Sequence, residues 1–200
     1  MITHYVGLSL GANSTVESGV AVREASSNEL IYVDKFFSMS DIESFFNNYV
    51  SINNSVICVS LPWDITMLEG KWRVHSKAYQ LINSNNNFKN IDNWMQRFST
   101  RGCDLLNTIS EKYNNIYRYE IYLTRLKFNL YSNYKERSSD DCKYLQSALK
   151  QRFSFYNFPP NMMPAAQLEA ILGTLLGEEY CKNNTEDIFR FKNLSVINLK

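Results

Sequence analysis

The sequence has little of several features that mark special classes of protein. It contains only 7 glycines and 4 prolines in 200 residues, and 44% of its residues are hydrophobic, which excludes low-complexity, collagen-like and disordered chains. No apolar run approaches the roughly 20 residues that span a bilayer, and no basic flank followed by an apolar block marks a signal peptide. We therefore expect a cytoplasmic globular protein with reduced thiols, folded as a single domain over residues 1–200.

The sequence is also poor in the residues that mark metal and redox sites. Its four cysteines are widely separated and form no C-x-x-C pair, and it has only two histidines. This composition argues against a zinc site, a thioredoxin motif and any histidine-based metal site. We expect Cys58 and Cys103 to be small core residues rather than nucleophiles.

An excess of charge of one sign is lacking as well. The formal net charge is +1, from 21 basic and 20 acidic side chains, so no global field concentrates a polyanion or a membrane surface. The charge is unevenly distributed, however, because residues 65–163 sum to +7 whereas residues 1–64 sum to −5. The basic middle segment is either a set of solvated helix faces or a surface that binds nucleic acid.

What the sequence does contain is a series of short strand patterns. Residues 4–10, 18–24 and 30–37 are extended runs separated by short turns, which predicts an antiparallel meander. Gly19, inside the second run, marks a position where a side chain would be unwelcome. The meander is the first half of the predicted sheet.

A helix and a buried strand follow the meander. Ser40 and Glu43 form a capping box ahead of an apolar helical face. Residues 56–61 are a continuous apolar run, typical of a central strand that is buried on both faces. The helical crossover predicts that this fourth strand lies parallel to the first. Because ligands bind outside the carboxyl ends of adjacent parallel strands, Ser9 and Ser60 should face the same crevice.

The rest of the chain adds a fifth strand and more helices. Residues 66–114 are predicted to be a mainly helical insertion, and residues 116–123 a strand with Glu120 near its carboxyl end. Ser138 and Ser139 cap the next predicted helix. The final residues are predicted to form a hairpin or a single edge strand. The fold class is therefore α/β, with a mixed five-stranded sheet flanked by helices.

Residues 165–181 form the clearest helix of the sequence. An apolar stripe runs along it, and Gly173 and Gly177 would permit close packing against a neighbouring element. Glu169 lies beside this stripe, one turn from the start of the helix. A carboxylate on an inward-leaning face is a candidate for a functional role.

Six short motifs, taken together, resemble one family. In chain order they are Gly7-Leu8-Ser9-Leu10-Gly11, Val59-Ser60-Leu61-Pro62, Arg101-Gly102-Cys103-Asp104, Tyr119-Glu120-Ile121-Tyr122, Tyr134-Lys135 and Glu169-Ala170. They resemble motifs of the predicted-nuclease family of RNase H-like fold catalogued as domain of unknown function 429, and the predicted strand order is also RNase H-like. In that family the first two motifs are strands that carry an aspartate, and the last opens an acidic helix.

The resemblance implies an RNase H-like fold with a crevice where carboxylates bind two Mg²⁺ or Mn²⁺ ions and a phosphodiester is hydrolysed. This chain departs from the pattern. Serines stand at the two strand aspartates, Ser9 and Ser60, and the longer Glu169 replaces the helix aspartate, whereas Glu120 and Asp104 match. Losing two carboxylates makes the metal site degenerate and leaves the two serines free to hydrogen-bond each other.

Two functions follow as expectations. The first is a catalytically impaired binding or scaffold module, with no cofactor and with a nucleic acid or a protein as its partner. Its candidate nucleic-acid contacts are the basic residues Arg101, Lys127, Lys135, Arg137 and Lys143, interleaved with the tyrosines Tyr131, Tyr134 and Tyr144. The alternative is a weak Mg²⁺- or Mn²⁺-dependent nuclease. Its candidate catalytic residues are Glu120, Glu169, Asp104 and Asp64, of which Glu120 and Glu169 are the candidate metal ligands.

Overall fold

The computed structural model describes residues 1–51, 53–60, 101–102, 104–191 and 194–200. The strands are β1 (His4–Ser9), β2 (Ser18–Glu24), β3 (Leu30–Phe36), β4 (Ser55–Ser60), β5 (Ile116–Arg118), β6 (Thr185–Phe191) and β7 (Leu194–Leu199). The helices are α1 (Met39–Tyr49), α2 (residues 101–102 and 104–110), α3 (Ile121–Lys127), α4 (Ser139–Arg152) and α5 (Ala165–Cys181). No helix in these ranges is long and apolar enough to cross a membrane.

The strands form one mixed sheet in the order β3-β2-β1-β4-β5-β7-β6. The predicted meander is confirmed, because β2 pairs antiparallel with both β1 and β3, and β4 lies parallel to β1 as expected. The prediction of five strands was wrong. The C-terminal hairpin joins the sheet through the parallel pairing of β7 with β5, which gives seven strands. Local patterns identify a hairpin but carry no information on which distant strand it will pair with.

Two predicted boundaries also differ from the structure. The strand predicted over residues 116–123 ends at Arg118, because the Glu120 carboxylate accepts a hydrogen bond from the Leu123 amide at 2.8 Å and so caps α3. Helix α1 begins two residues earlier than the capping box indicated. Its N-cap is Ser38 rather than Ser40, since the Ser38 hydroxyl accepts from the Asp41 amide at 3.1 Å. In both cases a side-chain oxygen accepts a hydrogen bond from a backbone amide in the first turn of the helix, and this contact sets where the helix begins.

The predicted helical insertion is only partly within the described residues. Its last part is helical, as α2, and the remainder over residues 66–100 lies outside the described ranges. The predictions for α4 and α5 are confirmed, including Ser138 as the N-cap of α4.

The sheet separates two apolar cores. Alternate residues of β1 and β4 point to opposite faces, as the period of two in a strand requires. One core, on the side of α1 and α2, contains Val6, Leu8, Ile57 and Val59; the other, on the side of α4 and α5, contains Tyr5, Val56 and Cys58. Ser9 and Ser60 fall in the same alternation as the second set, so both belong to the α5 face of the sheet.

Helix α5 lies directly on the backbone of β1 and β2. A Cβ atom on Gly7 would be 1.8 Å from the Ala170 carbonyl oxygen, and one on Gly19 would be 1.9 Å from the Ala166 carbonyl oxygen. The expectation that a side chain is unwelcome at Gly19 is therefore confirmed. A Cβ atom on Gly173 would lie 3.0 Å from the Gly7 Cα, whereas one on Gly177 would make only ordinary contacts. These glycines set how near the helix comes to the sheet.

Candidate functional site

The candidate site is built where α5 crosses the carboxyl ends of β1 and β4. Helix α5 runs antiparallel to β1, since Gly177 lies near Tyr5 and Ala170 lies near Gly7. Glu169 precedes Ala170 by one residue, and its side chain reaches Ser9. The Ser9 hydroxyl donates a hydrogen bond to the Glu169 carboxylate Oε2 at 2.7 Å. Both side chains are buried. The tertiary structure thus joins two residues that are 160 positions apart in the chain.

Ser9 and Ser60 are direct neighbours in the parallel pairing of β1 and β4, as predicted. The prediction that they hydrogen-bond each other was wrong, however, because the Ser9 hydroxyl donates to Glu169 instead. Ser60 is also buried, and its side chain is near enough to Tyr119 to lower the pKa of that phenol, against the larger effect of burial. The two positions where the resembled family has aspartates therefore hold buried, neutral polar side chains, and that of Ser9 donates to the Glu169 carboxylate.

A guanidinium group neutralises the buried carboxylate. Arg137 Nη2 donates to Glu169 Oε2 at 2.9 Å, so the same oxygen accepts from both Ser9 and Arg137. The Glu169 side chain is only 5% exposed, whereas that of Arg137 is 47% exposed. Because a buried ionised carboxylate without a partner is costly, this pairing is what allows Glu169 to sit at the sheet.

Tyr119 supports the same helix from the sheet side. Its hydroxyl donates to the backbone carbonyl oxygen of Glu169 at 2.5 Å. Burial, and then the nearby charge of Glu169, raise the pKa of the Tyr119 hydroxyl well above its ordinary value, so the phenol stays protonated and remains a donor. A Cβ atom on Gly173 would lie 3.1 Å from this hydroxyl, so the glycine leaves the room that Tyr119 occupies.

A second, deeper ion pair holds the loop that carries Arg137. Arg125 donates to both carboxylate oxygens of Asp141, at 2.9 and 2.6 Å, and Ser132 adds a bond of 2.7 Å. Burial raises the pKa of the Asp141 carboxyl, but the hydrogen bonds from Arg125, Ser132 and the Arg137 backbone outweigh this and hold the pKa below its ordinary value. Asp141 is therefore ionised and fully hydrogen-bonded.

Arg137 has an unusual backbone conformation. Five residues other than glycine have a positive φ among those described; four are asparagines, and the fifth is Arg137, with a φ of 61°. Asparagine tolerates this left-handed region, whereas a long side chain is disfavoured there. The Arg137 amide donates to Asp141 Oδ2 at 3.0 Å, which holds the strained conformation in place. The Asp141 network thus directs the Arg137 side chain toward Glu169.

The predicted acidic residues are placed in different surroundings. Glu120 is the N-cap of α3, and Asp104 is exposed on α2. Asp64 lies outside the described residues. Within the part of the chain that the structure describes, Glu169 lies at the ends of β1 and β4, where its carboxylate contacts a hydroxyl and a guanidinium. Among the described residues no group of three or more His, Cys, Asp or Glu side chains is arranged to hold a metal ion.

The predicted nucleic-acid contacts divide into two groups. Lys127, Lys135 and Lys143 are exposed on α3, the following loop and α4, close in the chain to the half-exposed Arg137. Arg101, in contrast, is buried, and its Nη2 donates to the Phe37 carbonyl oxygen at 2.6 Å. Its guanidinium thus serves the packing of α2 beside α1, which corrects its assignment to a binding surface.

Sequence reasoning missed the residues that organise the site. Arg125 and Asp141 are 16 positions apart and lie on different helices, so no helical spacing links them. Tyr119 was noticed only as part of a motif. The one available signal is the pair of acidic residues in the first turn of α4, a position where the helix dipole alone already favours acidic side chains.

The chain matches no protein-family model, no curated protein and no solved structure. The resemblance noted above therefore depends on its six motifs. The function has to be inferred from the geometry of the site and from the surface around it.

Proposed function

We propose that the protein is a non-hydrolytic nucleic-acid-binding module of RNase H-like fold, in which the Glu169 site is a structural centre rather than a metal site. The observation that carries this proposal is that a single oxygen of Glu169 accepts from both Ser9 and Arg137. A metal ion would have to displace the guanidinium and find further carboxylates, and serine hydroxyls at the strand ends do not neutralise a divalent charge.

The topology supports the RNase H-like assignment. The first five strands follow the order β3-β2-β1-β4-β5, with an antiparallel meander on one side and β4 and β5 parallel on the other. This is the strand order that the resemblance implies. The hairpin of β6 and β7 extends that sheet at its far edge.

The surface around Arg137 supports a nucleic-acid partner. Exposed lysines alternate with exposed aromatic rings from α3 to α4, where Tyr131 is 38% and Tyr134 is 54% exposed. Basic side chains bind phosphates and aromatic rings stack on bases, which is the usual combination in proteins that bind nucleic acids without hydrolysing them. The Arg137 side chain remains 47% exposed while it pairs with Glu169.

The test combines a metal titration with a binding assay on the whole protein. We expect calorimetry to show no specific Mn²⁺ binding up to about 1 mM, a concentration at which even weak protein sites for divalent ions fill. We expect filter binding at low salt to retain DNA or RNA oligonucleotides without cleavage. Glu169→Gln is the matched variant, because it preserves the size and the hydrogen-bond acceptor while removing the charge.

Either readout can overturn the proposal. Specific Mn²⁺ binding that Glu169→Gln abolishes, together with metal-dependent cleavage, would establish the alternative, a metal-dependent nuclease. An absence of any nucleic-acid binding at low salt would remove the nucleic-acid partner.

A further inference from the structure

The loop between α3 and α4 is held in one conformation by buried polar contacts. The carboxylate of Asp141 accepts from the Ser132 hydroxyl near the start of the loop and from the Arg137 amide near its end. Arg125 binds the same carboxylate and also donates to the Leu130 carbonyl oxygen at 3.3 Å. A loop fixed at both ends by one buried group loses little conformational freedom when it binds a ligand.

This rigid loop presents aromatic rings to solvent. Tyr131 packs edge-on against Tyr122, with ring centroids 5.3 Å apart, so its ring is held by a neighbour. Tyr134, at the middle of the loop, is 54% exposed. Exposed tyrosines on a loop that is otherwise pinned by buried contacts are positioned for stacking.

Cationic groups stand beside the rings. Lys135 is exposed next to Tyr134, and Arg137, whose backbone is held in the left-handed region, is half exposed two residues further on. Glu136 lies between them and is the one acidic side chain of the loop over residues 131–137. The loop thus carries an exposed ring and two cations within four positions, the side-chain types that stack on bases and bind phosphates.

Building on the proposed function, we propose that the loop over residues 131–137 binds single-stranded nucleic acid in preference to duplex, with Tyr134 stacking on an unpaired base and Lys135 and Arg137 contacting phosphates. A base inside a duplex has both faces covered by its neighbours and offers no face to an added ring. Stacking on a side chain therefore selects strands whose bases are free, and it does so for every base type.

The experiment measures fluorescence anisotropy of labelled single strands of about 12 nucleotides, within the usual footprint of a small binding domain, and of the matching duplex. We expect the single strand to bind more tightly. Tyr134→Ala should weaken its binding about tenfold, whereas Tyr134→Phe, which keeps the ring, should bind as the wild type does. Tyr156→Ala is the matched control, since Tyr156 is 64% exposed but lies beside Glu29 at the start of β3.

The salt dependence separates the charged contacts from the stacking contact. Lys135→Ala should make the slope of log K against log salt shallower by about 0.7, the value for one phosphate contact on a single strand. Glu136→Gln, which removes the single negative charge of the loop, should tighten binding at low salt. Tyr134→Ala should weaken binding without changing the slope.

The outcomes distinguish this inference from the proposed function. Equal affinity for duplex and single strand, or equal losses in Tyr134→Ala and Tyr156→Ala, would overturn the role of the loop while leaving a nucleic-acid-binding protein. If neither form of nucleic acid binds the wild type, the proposed function fails, and the inference fails with it.

Discussion

The loop between α3 and α4 contacts two arginine–carboxylate pairs, Arg125–Asp141 and Arg137–Glu169, and the pairs differ in their exposure to solvent. Arg125 and Asp141 are both buried, with side chains 6% and 4% exposed, and are joined by two hydrogen bonds. Arg137 and Glu169 share one hydrogen bond, and only the carboxylate is buried, since the arginine is 47% exposed. Each pair places an acidic group in the protein interior with a cation to neutralise it.

The difference shows how one ion pair can organise another. Both members of the Arg125–Asp141 pair are buried. The Asp141 carboxylate also accepts hydrogen bonds from the Ser132 hydroxyl and from the Arg137 amide. It thereby fixes the loop from which Arg137 reaches Glu169. A fully buried pair costs much to break, whereas a pair with one exposed partner is screened by water and exchanges more readily. The first pair is therefore closed to solvent, whereas the arginine of the second pair is open to it.

Asp141→Ala should have the largest effect, because it breaks the pair that holds the other. Removing one partner of a buried ion pair leaves an uncompensated charge on Arg125, and we expect a loss of about 3–5 kcal/mol in the free energy of unfolding. Urea denaturation followed by circular dichroism measures this. Stability equal to that of the wild type would show that the loop is held by other contacts.

The acid dependence of stability gives an independent control on Asp141. Its pKa is lower in the folded protein than in the unfolded chain, so its contribution is complete above the unfolded pKa of about 3.9 and is lost as the pH falls through the lower folded value. Asp141→Asn, which cannot ionise, should flatten this part of the stability curve.

Gly7→Ala should have the next largest effect, because it acts on the helix that carries Glu169 and leaves the Arg125–Asp141 residues unchanged. The new Cβ would meet the Ala170 carbonyl oxygen, which is backbone and cannot turn away, so α5 must move off the sheet and draw Glu169 from Ser9. Overpacking of this kind typically costs about 1–3 kcal/mol, again measured by urea denaturation.

Gly177→Ala is the matched control for Gly7→Ala. Its nearest neighbour would be Val56 Cγ1 at 3.4 Å, an ordinary contact, and alanine favours the helix by about 0.5–1 kcal/mol over glycine. We expect no loss of stability. Equal destabilisation by the two substitutions would contradict the specific role of the close approach at Gly7.

The smallest effect should come from comparing Arg137→Gly with Arg137→Ala. Both remove the guanidinium from Glu169 equally, so the difference between them reports only the backbone. Because Arg137 has a positive φ, the glycine variant should be more stable by about 1 kcal/mol. Identical unfolding curves would mean that the loop relaxes out of the left-handed conformation once the side chain is gone.

Much of the sheet and one residue of the site, Glu169, could be predicted from local patterns. The meander, the buried β4 and the helix α5 follow from hydrophobic periodicity, and the glycine in β2 was correctly interpreted as a point of close approach. Glu169 was singled out because it lies beside the apolar stripe of α5. These features depend on residues that are neighbours in the chain, where periodicity and capping act.

The partners of those residues could not be predicted in the same way. A hydrogen-bonded cap at Glu120 cut the fifth strand short, and pairing of β7 with β5 added two strands to the sheet. The strongest contacts of the site join residues with no local relation, such as Ser9 to Glu169 and Arg125 to Asp141. The specificity of these contacts comes from packing that exists only after the chain has folded.

The sequence by itself determined most of the strands and helices, the faces that they bury, and that serines stand at the ends of two parallel strands. Only the tertiary structure decided what those serines and Glu169 are bound to. The physical reason is that burying a carboxylate requires compensating donors, and the donors came from a backbone-strained arginine whose position is set by a second ion pair. Such compensation is a property of the assembled interior, and no stretch of the sequence expresses it.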